Sequence, residues 1–155
     1  MRGNFLGTGT STGVPVIGCR CRVCASQDPR NQRLRPSILL EWSDRCVLVD
    51  SSSDFRQQAL RHRIDRLDAV LYTHGHADHV MGLDDLRIYN FRQKADLPVY
   101  GSARTLQDLQ KIFWYAFADT QEGGGKPRLD LRAVAEPFDL FGARVDPVPL
   151  WHGDL

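Results

Sequence analysis

The chain has 155 residues and no apolar run near the roughly 20 residues that a membrane-spanning helix requires. It has no excess of charge either, since 20 basic and 19 acidic side chains leave a formal net charge of +1. Without a one-signed field, there is no general electrostatic drive toward nucleic acid or an anionic membrane. Arg20, Arg22, Arg30, Arg33 and Arg35 form a local basic run, which reads as a solvated loop. The first residues lack the apolar core of a secretion signal, which predicts a cytoplasmic chain. The four cysteines then read as thiols or metal ligands rather than disulfides. Methionine and tryptophan are scarce, at two and three. What is present, 42% hydrophobic and 25% charged residues, is ordinary for one soluble globular domain.

Histidine is also sparse, and its distribution carries the argument. Three of the five histidines fall within His74–His79, in Thr73-His74-Gly75-His76-Ala77-Asp78-His79. This run follows the apolar segment Leu67–Tyr72, which reads as a buried strand. Ligands at a strand end can converge on an ion at roughly 2.0–2.2 Å. His74 and His76 suit one metal. Asp78 and His79, at the start of the next helix, suit a second. His152 follows the apolar stretch Val145–Leu150, read as a strand, and can complete a tripod with His74 and His76. Asp50 ends the strand Cys46–Val49 and is placed to orient a metal-bound histidine through its other nitrogen. His62 lies among arginines and reads as solvated.

The order of elements is α/β or α+β. Phe5–Leu6 is a short strand running into the glycine-rich loop Gly7–Gly13. Residues 19–36 are a polar excursion. Ser37–Trp42 and Cys46–Val49 form a hairpin, and Asp54 is expected to cap a helix reaching about His62. Helical structure is expected over Gly82–Arg92, then a strand at Pro98–Tyr100. A single helix is expected over Ala103–Phe117, with Leu106, Leu109, Ile112, Phe113 and Tyr115–Ala116 on or near one face. A glycine-rich break spans Gln121–Lys126. Strands are expected at Leu129–Val134, Phe138–Leu140 and Ala143–Leu150.

The T-H-G-H-A-D-H run resembles the signature of the metallo-β-lactamase superfamily. Asp50 matches its first motif and His152 its third. Gly7–Pro15 (GTGTSTGVP), Gly18-Cys19-Arg20-Cys21 and Cys24 resemble the branch containing the phosphoribosyl 1,2-cyclic phosphodiesterase of bacterial phosphonate breakdown, close to tRNA 3′-processing endonucleases. The resemblance implies an αββα sandwich of which this chain is the N-terminal half and a little more, one domain over 1–155 with a zinc loop at about 18–36. It implies two catalytic divalent metals, zinc or manganese, at His74, His76, Asp78, His79 and His152. Asp78 would orient a metal-bound hydroxide. It also implies a structural zinc at Cys19, Cys21 and Cys24, a geometry that short cysteine loops suit. The family's fourth zinc ligand, bridging aspartate and late histidines have no match here. A truncated fragment is therefore expected, with an apolar sheet face left exposed and pairing into a homodimer as one way to cover it. Cys46 reads as a small core residue.

The resemblance implies a metal-dependent hydrolase. The leading expectation is a phosphodiesterase acting on a small cyclic phosphate or related diester. Alternatives are a lactone or thioester hydrolase, a tRNA-processing nuclease (although nucleic acid is not the expected partner), and a non-enzymatic metal-binding fragment. The loop Gly9–Gly13 is a candidate phosphate nest.

Overall fold

A computed structural model of the chain describes residues 1–119 and 125–153. The expected glycine-rich break at Gln121–Lys126 lies mostly outside the described residues.

Strands β1 (Arg2–Gly7), β2 (Ser37–Trp42) and β3 (Arg45–Val49) form an antiparallel meander. From β3 the sheet becomes parallel through β4 (Ala69–Leu71), β5 (Leu97–Gly101) and β6 (Leu129–Ala133), and the six strands lie in sequence order. Each parallel step needs a crossover, and crossovers of one hand stepping in one direction put every helix on the same face. Helix α1 (Phe55–His62) links β3 to β4. Helix α2 (Ala77–Val80), a 3₁₀ turn at Leu83–Leu86 and helix α3 (Arg87–Gln93) link β4 to β5. Helices α4 (Ala103–Ile112) and α5 (Trp114–Phe117) precede β6.

The main core forms between this helix layer and the sheet. It joins Leu6, Leu39 and Leu48 to Phe55, Leu67, Val80, Leu83, Leu86, Leu106 and Leu109, and includes Cys46 as expected. Full burial of one such side chain contributes roughly 1.5–3 kcal/mol, so this layer fixes the sheet against its helices.

A ribbon of β7 (Phe138–Leu140) and β8 (Ala143–Val145) packs on the other face. It covers Val47, Ala69 and Tyr100 with Phe138, Leu140 and Phe141. Phe138 stacks on Tyr100 at 5.2 Å, and Trp42 Nε1 donates to Phe141 O at 3.2 Å. The expectation of a bare apolar face is thus corrected in part. The ribbon shields the β3–β5 region, while Phe5 at the β1 edge stays 69% exposed.

Three element expectations need correction. Asp54 precedes α1, yet its side chain caps nothing, because both carboxylate oxygens accept from Arg35, from N at 2.8 Å and from Nη1 at 2.9 Å. The Ala103–Phe117 helix breaks at Phe113, whose φ/ψ of −109/40 turns its ring into the core while Ile112 and Trp114 face outward. The Gly82–Arg92 region is helical as expected, in two pieces, the 3₁₀ turn at Leu83–Leu86 and α3. Strand β8 stops at Val145 instead of Leu150, since Pro147 and Pro149 have no amide to donate to a ladder.

Candidate metal centre

The site forms where two adjacent parallel strands end. Open α/β sheets place ligands outside the carboxyl ends of their strands, and here β3 delivers Asp50 and β4 delivers the segment Thr73–His79. Asp50 itself takes a left-handed conformation, φ 59, which aspartate tolerates better than most residues. Its backbone N–H still donates to Leu71 O at 2.9 Å, which locks the two strand ends together.

Gly82 sets how close the histidine segment can come. A Cβ there would lie 2.3 Å from Ser52 O and 2.6 Å from Phe55 Cβ. The missing side chain lets the turn after α2 press onto the segment following Asp50, and Gly82 N–H donates to Ser51 O at 2.9 Å.

Asp50 is buried, 4% exposed, and accepts three hydrogen bonds. Oδ1 takes Thr73 N–H at 2.8 Å, while Oδ2 takes the Thr73 hydroxyl at 2.8 Å and His79 Nδ1 at 2.7 Å. The hydrogen bond that His79 donates to Asp50 raises the His79 pKa above its ordinary 6.5, against the opposing effect of burial. His74 moves the other way. Burial lowers its pKa first, and the neighbouring His79 and His76 lower it further.

His74, His76 and His152 converge although the last is 76 residues from the second. His74 Nε2 lies 3.1 Å from His76 Nδ1, and His152 Nε2 lies 3.2 Å from the same nitrogen. Two imidazole nitrogens about 2.0–2.1 Å from one ion, at an angle near 100°, sit about 3.1–3.2 Å apart. The spacing therefore fits one shared ion. His152 arrives from the irregular segment after β8 rather than from a strand end, and is held beside exposed Val148, Leu150 and Trp151. Asp78 and His79 lie on the other side of His74. His79 Nε2 is 3.4 Å from Asp78 Oδ2, and the His79 and His74 ring centroids are 4.1 Å apart. That pair supplies two donors toward a second position, and among the described residues no third completes it.

Cys19, Cys21 and Cys24 form a second convergent group, their sulfurs within 4.8 Å of one another. Val16 N–H points at Cys24 Sγ (3.4 Å) and Cys24 N–H at Cys21 Sγ (3.5 Å). The amide of Cys24, with a further hydrogen bond from Cys19, lowers the Cys21 thiol to about 7. Such a trio suits a soft tetrahedral cation. Among the described residues no fourth ligand joins it.

One sequence reading changes here. The loop Gly9–Gly13 is a poor phosphate nest, because the Gly9 amide donates to Leu34 O and the Gly13 amide to Thr10 O. Two contributors were not singled out from sequence. One is the Thr73 hydroxyl, between Asp50 and His74. The other is Asp108 of α4, whose side chain sits where a Cβ on Gly75 would come within 3.0 Å. Thr73 was legible as the residue opening the motif, whereas nothing in the sequence pairs Asp108 with Gly75. His62 is exposed, as expected.

The family described as beta-lactamase superfamily domain matches residues 45–155. The chain belongs to that family. The matched stretch holds Asp50, the whole histidine segment and His152. Relatives extend the likeness to the N-terminal part. A diphosphatase from the PhnP family superposes with a TM-score of 0.89 at 43% identity, over 99% of this chain and 58% of that one. Zn(2+)-bound PqqB from Methylobacterium extorquens superposes at 0.69 with 26% identity, over 90% and 48%. An octanoyltransferase of Porphyromonas gingivalis is 44% identical over 158 residues, all of this chain but 32% of that protein. The chain thus spans 32% to 58% of the length of these relatives. The metallo-β-lactamase fold expected from the motifs is the fold observed, and the zinc-bound neighbour agrees with the divalent-metal chemistry of the donor set. Among the described residues no helix is long and apolar enough to cross a membrane.

Proposed function

We propose that this chain carries the first-metal half of a metal-dependent phosphodiesterase site acting on a small cyclic phosphate or related diester. The observation that carries the reading is the convergence of His74 Nε2, His76 Nδ1 and His152 Nε2, at spacings one ion can bridge. These three residues would hold the first ion, and Asp78 and His79 would contribute to a second. Bound divalent ions, zinc or manganese, supply Lewis acidity and a water acidified toward neutral pH.

The protein's own part is orientation and proton handling. Asp50 fixes the His79 ring from behind. Asp78, beside His79 Nε2, presents a carboxylate that can orient the attacking water and hold its proton. Cys19, Cys21 and Cys24 would bind a structural zinc that stiffens the loop ahead of the site. A cytoplasmic location suits this reading, since reduced thiols are the form that binds zinc.

The phosphodiester preference rests on the cysteine trio and the GTGTSTGVP loop, and the likeness to a PhnP-family diphosphatase supports phosphorus chemistry. That likeness also favours a second reading, a phosphoanhydride substrate. The test is hydrolysis of bis(p-nitrophenyl) phosphate, a ribose cyclic phosphate, a diphosphate diester and a lactone, with Mn²⁺ and with Zn²⁺. Turnover of the cyclic phosphate that is lost in His76→Ala supports the reading. Diester turnover no faster than that of His76→Ala overturns it, and faster cleavage of the diphosphate or the lactone redirects it.

A further inference from the structure

We propose that Thr73 is a positioning residue of the metal centre. Its hydroxyl, lodged between Asp50 and His74, fixes His74 in the tautomer that presents Nε2 as a free lone pair. The inference rests on the reading of His74 as a metal ligand and adds what makes it one.

The argument is proton counting. A hydroxyl has one proton to give, and a carboxylate only accepts. Thr73 Oγ1 lies 2.8 Å from Asp50 Oδ2, so its proton points there. Toward His74 Nδ1, at 3.0 Å, the same oxygen can then only accept. The ring must donate, and Nδ1 carries the proton. A neutral imidazole has one N–H, so Nε2 keeps its lone pair, and Nε2 is the atom facing His76 Nδ1 at 3.1 Å. Without the relay the two tautomers of His74 would compete, and the one protonated at Nε2 cannot bind an ion there.

The same oxygen, Asp50 Oδ2, also takes His79 Nδ1–H at 2.7 Å. One buried carboxylate therefore sets two rings, His79 directly and His74 through Thr73. The Thr73 backbone N–H is separately held by Asp50 Oδ1. A side-chain substitution at Thr73 thus removes the relay and leaves the backbone anchor in place.

The test reads the tautomer and the metal affinity in the full chain. In the metal-free wild type at about pH 8, histidine-ring ¹H–¹⁵N spectra are expected to show His74 protonated at Nδ1 and bare at Nε2. Thr73→Val should populate both tautomers and weaken zinc binding about 10–100-fold. Thr73→Ser, which keeps the hydroxyl, should restore both readouts. Nε2 protonation of His74 in the wild type would overturn the inference, as would a Thr73→Val chain that binds zinc as tightly as the wild type. If Thr73→Val does not fold, the wild-type spectrum and Thr73→Ser still decide. A chain that prefers lactones would remove the phosphodiester reading and leave this one standing. Diester turnover with the wrong His74 tautomer would do the reverse.

Discussion

Asp50 offers the sharpest quantitative test, because one buried carboxylate serves the strand junction, the hydroxyl relay and the His79 ring. Replacing it with glycine keeps the left-handed backbone (φ 59) unstrained while removing the acceptor of three hydrogen bonds. The His79 ring, 18% exposed, and the Thr73 hydroxyl can turn partly to solvent. A buried donor left without its acceptor costs about 1–3 kcal/mol, and with three donors partly relieved by solvent Asp50→Gly should cost about 3–5 kcal/mol. Asp50→Ala should cost about 1–2 kcal/mol more, the penalty of a Cβ in the left-handed region. Asp50→Asn retains an acceptor for the Thr73 N–H and loses only the two contacts at Oδ2, which predicts about 1–3 kcal/mol. Urea unfolding of the metal-free proteins measures all three. Zinc titration should show weakening of about 10–100-fold for each, as loss of an orienting partner typically causes. If Asp50→Gly unfolds within about 0.5 kcal/mol of wild type and binds zinc normally, the assignment of Asp50 as the organiser of the site is refuted.

The remaining expectations are simpler to state. Gly82→Ala should destabilise the chain by about 1–3 kcal/mol through overpacking, because its Cβ meets Ser52 O at 2.3 Å; an unchanged melting temperature would contradict the close approach described. Because the folded-state pKa of His79 is raised above 6.5, its pairing with Asp50 contributes its full stability below about pH 6.5 and loses it as pH rises through the folded value. The stability gap between wild type and Asp50→Asn should therefore shrink from pH 6 to pH 9, and a gap that widens would reverse the sign of the argument. In the zinc-free protein at pH 7.5, mass-mapped alkylation should modify Cys21, with a pKa of about 7, long before Cys46, which burial pushes up to about 11. Equal rates would contradict both environments.

Local chemistry made part of this protein readable from its sequence. The two short apolar runs Ser37–Trp42 and Cys46–Val49, with the short turn between them, specify a hairpin without help from the rest of the chain. The density of histidines between His74 and His79, with Asp78 in place, specifies metal-ligand chemistry because ligands close in sequence are close in space. The spacing of Cys19, Cys21 and Cys24 does the same. Where a side chain had a stronger long-range partner, local rules failed. Asp54 left its helix cap for Arg35, and the Gly9 amide was taken by Leu34 O. Only the folded sheet could bring His152 onto His76 across 76 residues, place Asp108 against Gly75, and set Asp50 Oδ2 at hydrogen-bonding distance from both Thr73 and His79. Those contacts depend on the lateral order of β3 and β4 and on the way the segment after β8 crosses the strand ends. A one-dimensional pattern does not encode that order, because it arises from burying one apolar face of the sheet under helices that all cross over on the same side.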